Sequence, residues 1–160
     1  MDTNPPAAFT ITAVSSADFE DWVALALELW PPDDESDRQD LRQTLMAILH
    51  GEHETGWLVR NAAGAAIAFM NLSLRRDYVA GATQRPVAFL EGIYVRAPHR
   101  HQGIATALIR QAEAWAQQQG CAELASDALI ENHGSHQFHA KAGFQEVERT
   151  VCFIKPLDRA

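Results

Sequence analysis

The chain holds 160 residues, 47% hydrophobic and 21% charged, with a formal net charge of −8 at pH 7. That length suits one domain, 1–160, with a core of its own and a loose terminus over residues 1–8. The acidic balance argues against nucleic acid, which needs a basic face. The chain also lacks the roughly 18-residue apolar run of a membrane span and the basic-then-apolar start of a signal peptide, so a cytoplasmic protein with no membrane partner is expected.

In chain order, Phe9 to Val14 alternates as a first strand. Ser16 and Asp18 can cap a helix running to about Trp30, with Phe19, Val23, Leu27 and Trp30 on one face. Pro31-Pro32 stops it. The acids Asp33, Asp34, Glu35 and Asp37 suit the start of a second helix, with Leu41, Leu45 and Ile48 on its apolar side and Gly51 at its end. A hairpin follows, Gly56 to Arg60 and Ala65 to Arg75 around a turn at Asn61 to Gly64. A loop from Asp77 to Arg85 leads to the strand Val87 to Val95. Ile104 to Gln119 is a helix with a stripe of Ile104, Leu108, Ala112 and Trp115, closed by Gly120. Cys121 to Ser126 is a short strand, 134–142 a helix ended by Gly143, and Phe144 to Glu148 and Val151 to Lys155 are two last strands. The order β-α-α-β-β-β-α-β-α-β-β predicts a mixed sheet with helices packed on it. Cys121 and Cys152 have no Cys-x-x-Cys spacing and read as small core residues rather than a disulfide.

The densest signal is Phe89 to Thr106, FLEGIYVRAPHRHQGIAT. An apolar strand meets a loop with the spacing R-x-x-G-x-A (Arg100, Gly103, Ala105), and a helix begins at once. A Gly-containing turn at a helix start holds phosphate on backbone N–H groups, here those of His101, Gln102, Gly103, Ile104, Ala105 and Thr106, with Arg100 adding charge. A P-loop is excluded by the missing Gly-Lys-Ser/Thr. Glu91 sits mid-strand among apolar residues, a costly place unless it is paired or faces a cleft. It either meets a cationic ligand, which the acidic balance of the chain would favour, or forms an ion pair with Arg75 or Arg76. Asp127 ends the next strand, a position where sites form in α/β sheets, or it caps the loop that follows. His133, His136 and His139 recur every three residues, but with no nearby cysteines and no H-E-x-x-H pattern no metal site is expected.

The R-x-x-G-x-A loop after an apolar strand, followed by N132-x-x-S135 and H139-A-K-A-G143-F144, resembles the GCN5-related N-acetyltransferases, the GNAT superfamily. The element order extends that resemblance over nearly the whole chain. It implies an α/β (α+β) GNAT fold, a mixed, mostly antiparallel central sheet with helices on both faces, and acetyl-CoA as cosubstrate. In that family the central strand bulges and the pantetheine bonds to its exposed edge, which implies backbone contacts from Ile93 and Val95 and a further contact from Asn132. A substrate amine arrives protonated and must lose a proton before it attacks the thioester. The resemblance puts Glu91 and Asp127 on the substrate side, where either could take the proton, directly or through water; Asp127 is read here as the base and Glu91 as the ammonium anchor. Many members carry a Tyr four residues before the Gly-Phe pair. Here that residue is His139, either a proton donor to the leaving sulfur or a surface histidine.

A narrower similarity runs through LELWPPDD (Leu27 to Asp34), LRRDYVAG (Leu74 to Gly81), PVAFLEGIYV (Pro86 to Val95), GCAELASD (Gly120 to Asp127) and GFQEVERT (Gly143 to Thr150). These segments are similar to bacterial aminoglycoside 6′-N-acetyltransferases. The resemblance implies acetylation of an aminoglycoside 6′-amino group, conferring resistance, with Trp30, Tyr78, Glu91, Asp127 and Glu148 on the substrate side. Sugar rings can stack on Trp30 and Tyr78 and ammoniums can approach their faces, although Trp30 could instead be a core residue ending the first helix. The Asp33 to Asp37 run either adds a negative rim or simply caps its helix. A homodimer is expected, from family habit and from the apolar tail Phe144 to Pro156. Two other readings stay open: a GNAT for another small amine such as a polyamine, and a degenerate domain that binds acyl-CoA without turnover.

Overall fold

The computed structural model describes residues 8–158, so the expected loose terminus lies almost wholly outside the described residues. The chain divides into two compact units, one ending at Asp127 and the other beginning at Ala128.

The first unit opens with β1 (Phe9–Ala13). Ser15, one residue earlier than expected, starts the next turn: its N–H and its hydroxyl both donate to Asp18 Oδ2, at 3.0 and 2.8 Å. That capping leads through a 3-10 turn into α1 (Phe19–Leu29). The buried side of α1 is Phe19, Trp22, Val23, Leu25 and Ala26, rotated from the predicted stripe so that Leu27 lies at its margin and Trp30 falls just past the helix. Asp34 caps α2 (Glu35–His50) by accepting the Asp37 N–H at 2.9 Å, so the acidic run does begin a helix. β2 (Glu54–Asn61) and β3 (Ala66–Arg75) form the hairpin, with Gly64 at φ +83° in its turn. β4 (Val87–Val95), α3 (Ile104–Gln118) and β5 (Leu124–Ser126) complete the unit.

The sheet runs β1-β2-β3-β4-β5, antiparallel throughout except for the parallel β4–β5 pair. Alternation along β3 separates its two faces. Phe69 packs into the cluster of Trp22, Leu25 and Leu45 from α1 and α2, and Asn71 Oδ1 accepts the Trp22 indole N–H at 2.9 Å. Leu74 faces the other way, with Ala88 and Ala116 of α3. Each fully buried Leu or Phe contributes about 1.5–3 kcal/mol, and removing the Asn71 carbonyl would strand a buried donor.

The second unit holds α4 (His133–Lys141), begun by Asn132 Oδ1 accepting the Ser135 N–H at 3.1 Å and followed by Gly143 at φ +95°. The two strands expected at Phe144 to Glu148 and Val151 to Lys155 are not formed. Phe153 and Ile154 are 91% and 95% exposed. Alternating apolar residues make a segment fit for a sheet, but a strand exists only where a neighbour supplies the hydrogen-bonding ladder. Cys152 lies in the same exposed stretch, which corrects its reading as a core residue. Cys121 is buried as expected, its thiol 3.5 Å from the Pro86 carbonyl, and both cysteines are free.

Candidate active site

The site begins with a register slip. Across β3 and β4, Leu72 pairs with Leu90 but Asn71 pairs with Gly92, so Glu91 is the extra residue of a β-bulge. The slip switches the alternation of β4. Phe89 and Glu91 face the α1 side before it, and Gly92 and Tyr94 face the same side after it. Two consecutive positions thus share one face, and the second is bare. A Cβ at Gly92 would lie 2.6 Å from the Trp30 ring, so the glycine is what lets that indole lie against the strand. Trp30 also packs edge-on to Phe69, with ring centroids 5.8 Å apart, yet stays 38% exposed. It is a packed side chain with an open face beside the bulge.

Glu91 has the ion pair that the sequence left as one of its two options. Its Oε1 accepts from the Ser73 hydroxyl at 2.6 Å and from Arg75 Nε at 2.9 Å, and its Oε2 accepts from Arg75 Nη2 at 2.8 Å. The same guanidinium lies over the Phe89 ring, 3.4 Å from its centroid. Hydrogen bonding to Glu91 holds Arg75 above its ordinary pKa. Burial opposes that shift, and the charges of Glu91 and then Asp127 add to it. Asp127 is therefore near enough for Arg75 to feel its charge. The parallel register explains why: Leu90 pairs with Ser126, and the Ser126 hydroxyl donates to the Leu90 carbonyl at 3.3 Å. One residue further, Asp127 follows the C-terminal end of β5, and it is exposed.

A second carboxylate fixes the end of α1. Glu28 accepts from the Tyr94 hydroxyl at 2.9 Å and from Arg96 Nη2 at 2.7 Å, while Arg96 Nη1 donates to the Ala66 carbonyl at 2.9 Å. Hydrogen bonding to Arg96 holds the Glu28 carboxyl below its usual range. Burial, and next the bond to Glu28, hold the Tyr94 phenol above its own. This knot sits two residues before Trp30 and helps set where the indole lies. Ser73 and Glu28 are the site residues that sequence reasoning missed. Ser73 carries one signal, its period-2 spacing to Arg75 on a strand beside the acid. Glu28 carries none, since its partners lie 66 and 68 residues away.

The other side of the bulge is an open edge. Among the described residues, β5 pairs with β4 only at Ala88, Phe89 and Leu90. The Arg96 N–H donates to the Ile67 carbonyl at 2.9 Å, and antiparallel ladders alternate. The backbone groups of Val95 and Ile93 therefore point away from β3, toward that edge. One of them is used: the Val95 carbonyl accepts Arg100 Nε at 2.8 Å, which ties the loop to the strand end. His101 at φ +60° and Gly103 at φ +83° turn the chain into α3. Gly103 is the N-cap and no side chain caps the helix, so the first-turn N–H groups of Ile104, Ala105 and Thr106 have no intrahelical acceptor. A Cβ on Gly103 would meet no atom within 4 Å. Uncapped donors, the positive end of a helix dipole and open space beside a glycine fit a pyrophosphate.

Tyr78 is 71% exposed in the loop between β3 and β4. Asn132, His139 and Glu148 belong to the second unit. Asn132 Oδ1 is committed to capping α4, and Glu148 is exposed. His139 Nδ1 lies 2.7 Å from the Ser135 carbonyl, which can only accept, so the proton of the neutral ring sits on Nδ1. The rings of Phe138 and Phe144 lie against the imidazole, with centroids at 5.5 and 5.1 Å.

Residues 18–144 match the model of the Acetyltransferase (GNAT) family. Aminoglycoside N(6′)-acetyltransferase type 1 of Serratia marcescens is 46% identical over 136 residues, covering 85% of this chain and 91% of the relative. The crystal structure of aminoglycoside antibiotic 6′-N-acetyltransferase AAC(6′)-Ih from Acinetobacter baumannii superposes with a TM-score of 0.84 at 40% identity, over 94% of this chain and all of the other. AAC(6′)-Iy, solved with the bisubstrate analogue CoA-S-monomethyl-acetylneamine, gives a TM-score of 0.84 at 34% identity, over 94% and 99%. With the bulged strand, the open edge and the uncapped helix in place, and with a family match over most of its length, the chain belongs to the GNAT acetyltransferase family.

Proposed function

We propose that the chain is an aminoglycoside 6′-N-acetyltransferase, an enzyme that uses acetyl-CoA to acetylate the 6′-amino group of aminoglycoside antibiotics and so confers resistance. The observation that carries this reading is the parting of β4 from β5 at the Glu91 bulge. It leaves Glu91 just past the last paired residue of β4, as Asp127 is just past β5, and opens a backbone edge beside an uncapped helix. The names of the relatives, and the bisubstrate analogue bound to one of them, support the same substrate class.

Acetyl-CoA supplies the reactive thioester. The backbone N–H groups of His101, Gln102, Gly103, Ile104, Ala105 and Thr106 hold its pyrophosphate, each charge-assisted bond contributing about 1.5–3 kcal/mol. Ile93 and Val95 offer backbone groups along the edge, Asn132 adds a contact, and Arg100 braces the loop. On the substrate side, Glu91 draws the ammonium in while Arg75 and Ser73 keep the carboxylate oriented. Asp127, exposed at the strand end, takes the proton that the amine must shed, directly or through one water. His139, standing where many members carry a tyrosine, is the proton donor to the leaving sulfur. Trp30, Tyr78 and Glu148 receive the sugar rings and the remaining ammoniums, with ammonium–aromatic attraction of about 0.5–2 kcal/mol. No step requires a metal.

A substrate screen that reads thiol release checks this reading. Aminoglycosides with a 6′-amino group should be turned over, analogues with a 6′-hydroxyl should show little activity, and product mapping should find the acetyl on the 6′ nitrogen. Simple polyamines reacting far better than kanamycin-like substrates would overturn the antibiotic reading. Acetyl-CoA binding with no amine turned over would overturn catalysis itself.

The enzyme is further read as a single domain in the cytoplasm, a compartment that keeps Cys121 and Cys152 reduced, and as a homodimer. The exposed Val151, Phe153, Ile154 and Leu157 support the dimer, since side chains of this kind are normally covered by a partner. Sedimentation at micromolar concentration should give twice the chain mass; a monomer there removes the dimer from the proposal.

A further inference from the structure

The loop between β3 and β4 carries Tyr78 and has no regular structure beyond one turn, in which the Ala82 N–H donates to the Val79 carbonyl at 3.1 Å. Two attachments hold it. Val79, next to Tyr78, packs on Val87 and Phe89, the latter being the ring on which Arg75 lies. The other attachment is Glu123. One oxygen of its carboxylate, Oε1, accepts three donors from the loop: the Thr83 N–H at 2.7 Å, the Thr83 hydroxyl at 2.8 Å and the Gln84 N–H at 3.2 Å. Those bonds, the Thr83 N–H first, hold the carboxyl below its usual range, so it stays ionised through neutral pH.

Glu123 immediately precedes β5 and Asp127 immediately follows it. A five-residue segment therefore grips the Tyr78 loop at its start and presents the proposed base at its end. Residues 39 and 40 positions apart in sequence are pinned together in this way. A carboxylate that accepts two backbone N–H groups of one loop selects a single loop conformation, because backbone donors cannot swing free as side chains can.

We propose that Glu123 is a positioning residue for acceptor recognition: it staples the Tyr78 loop to the start of β5, the strand that Asp127 follows, and so fixes the wall against which the aminoglycoside binds. This rests on the proposed aminoglycoside acetylation. The test is steady-state kinetics of Glu123→Ala and Glu123→Gln with a kanamycin-like substrate, alongside hydrogen exchange over residues 77–85. In Glu123→Ala the aminoglycoside KM should rise about five- to twentyfold, with kcat and the acetyl-CoA KM within about twofold of wild type. Exchange over the loop should quicken. Glu123→Gln keeps a carbonyl acceptor and should recover most of the lost affinity.

An unchanged aminoglycoside KM in Glu123→Ala overturns the proposal, whether or not the loop exchanges faster. So does an equal rise in both KM values, the mark of a general structural role, or a Gln variant as impaired as the Ala variant. A wild-type protein that turns over no aminoglycoside overturns the reading on which the proposal rests, and the proposal with it; that failure is told apart because it appears before any variant is made.

Discussion

Asp127→Asn should lower kcat by about 10²–10⁴-fold, the usual contribution of a positioned general base, while leaving the acetyl-CoA KM within about twofold of wild type. The choice of Asp127 over Glu91 follows from what each carboxylate is doing. Glu91 already accepts from Ser73 and twice from Arg75, and taking a proton would cost it that ion pair. Asp127 stands exposed one step past the last β4–β5 pair, and its charge is felt by Arg75. The asparagine is isosteric and uncharged, so substrate placement is largely kept while basicity is lost. Single-turnover acetylation followed by thiol release separates the chemical step from product release. Wild-type turnover in the variant would remove Asp127 from the chemistry and return the proton to Glu91 or to solvent.

Gly103→Val should raise the acetyl-CoA KM more than a hundredfold. Two costs combine. At φ +83° a β-branched residue is strained by about 1–2 kcal/mol. The added side chain also enters space that is open beside the N-terminus of α3. Losing two charge-assisted bonds there would cost about 3–6 kcal/mol, which is two to four decades of affinity. Calorimetric titration with acetyl-CoA, on a variant whose melting curve is still cooperative, is the decisive measurement. Unaltered affinity in that folded variant would sink the assignment of this loop to the pyrophosphate.

The family and the strand–loop–helix from Val87 to Gln118 were the most legible parts of the chain. The strand Val87–Val95 has the same ends in the structure, and α3 begins at Ile104 as the R-x-x-G-x-A spacing requires. Both follow from local rules: apolar runs, turn glycines and helix starts are encoded within a few residues. The final strands were misread because the same apolar pattern says nothing about whether a partner strand is present. The α1 stripe was rotated because Trp22 meets Asn71, 49 residues away, and that contact favours a face which the helix periodicity left ambiguous.

The sequence by itself determined the fold class, the family and the short list of acids and aromatics from which a site could be made. It could not decide how those residues meet. The slip that makes Glu91 a bulge is a relation between two strands, and Gly92 matters because Trp30 arrives from a helix more than 60 positions away. Arg75, Ser73, Glu28 and Glu123 acquire their roles through hydrogen bonds between segments distant in the chain. Local propensity is written residue by residue, whereas register and long-range pairing are fixed only when the whole sheet settles its hydrogen bonds and its buried faces together. The chemistry of the site was written in the sequence as residue types; its geometry was decided by the tertiary structure.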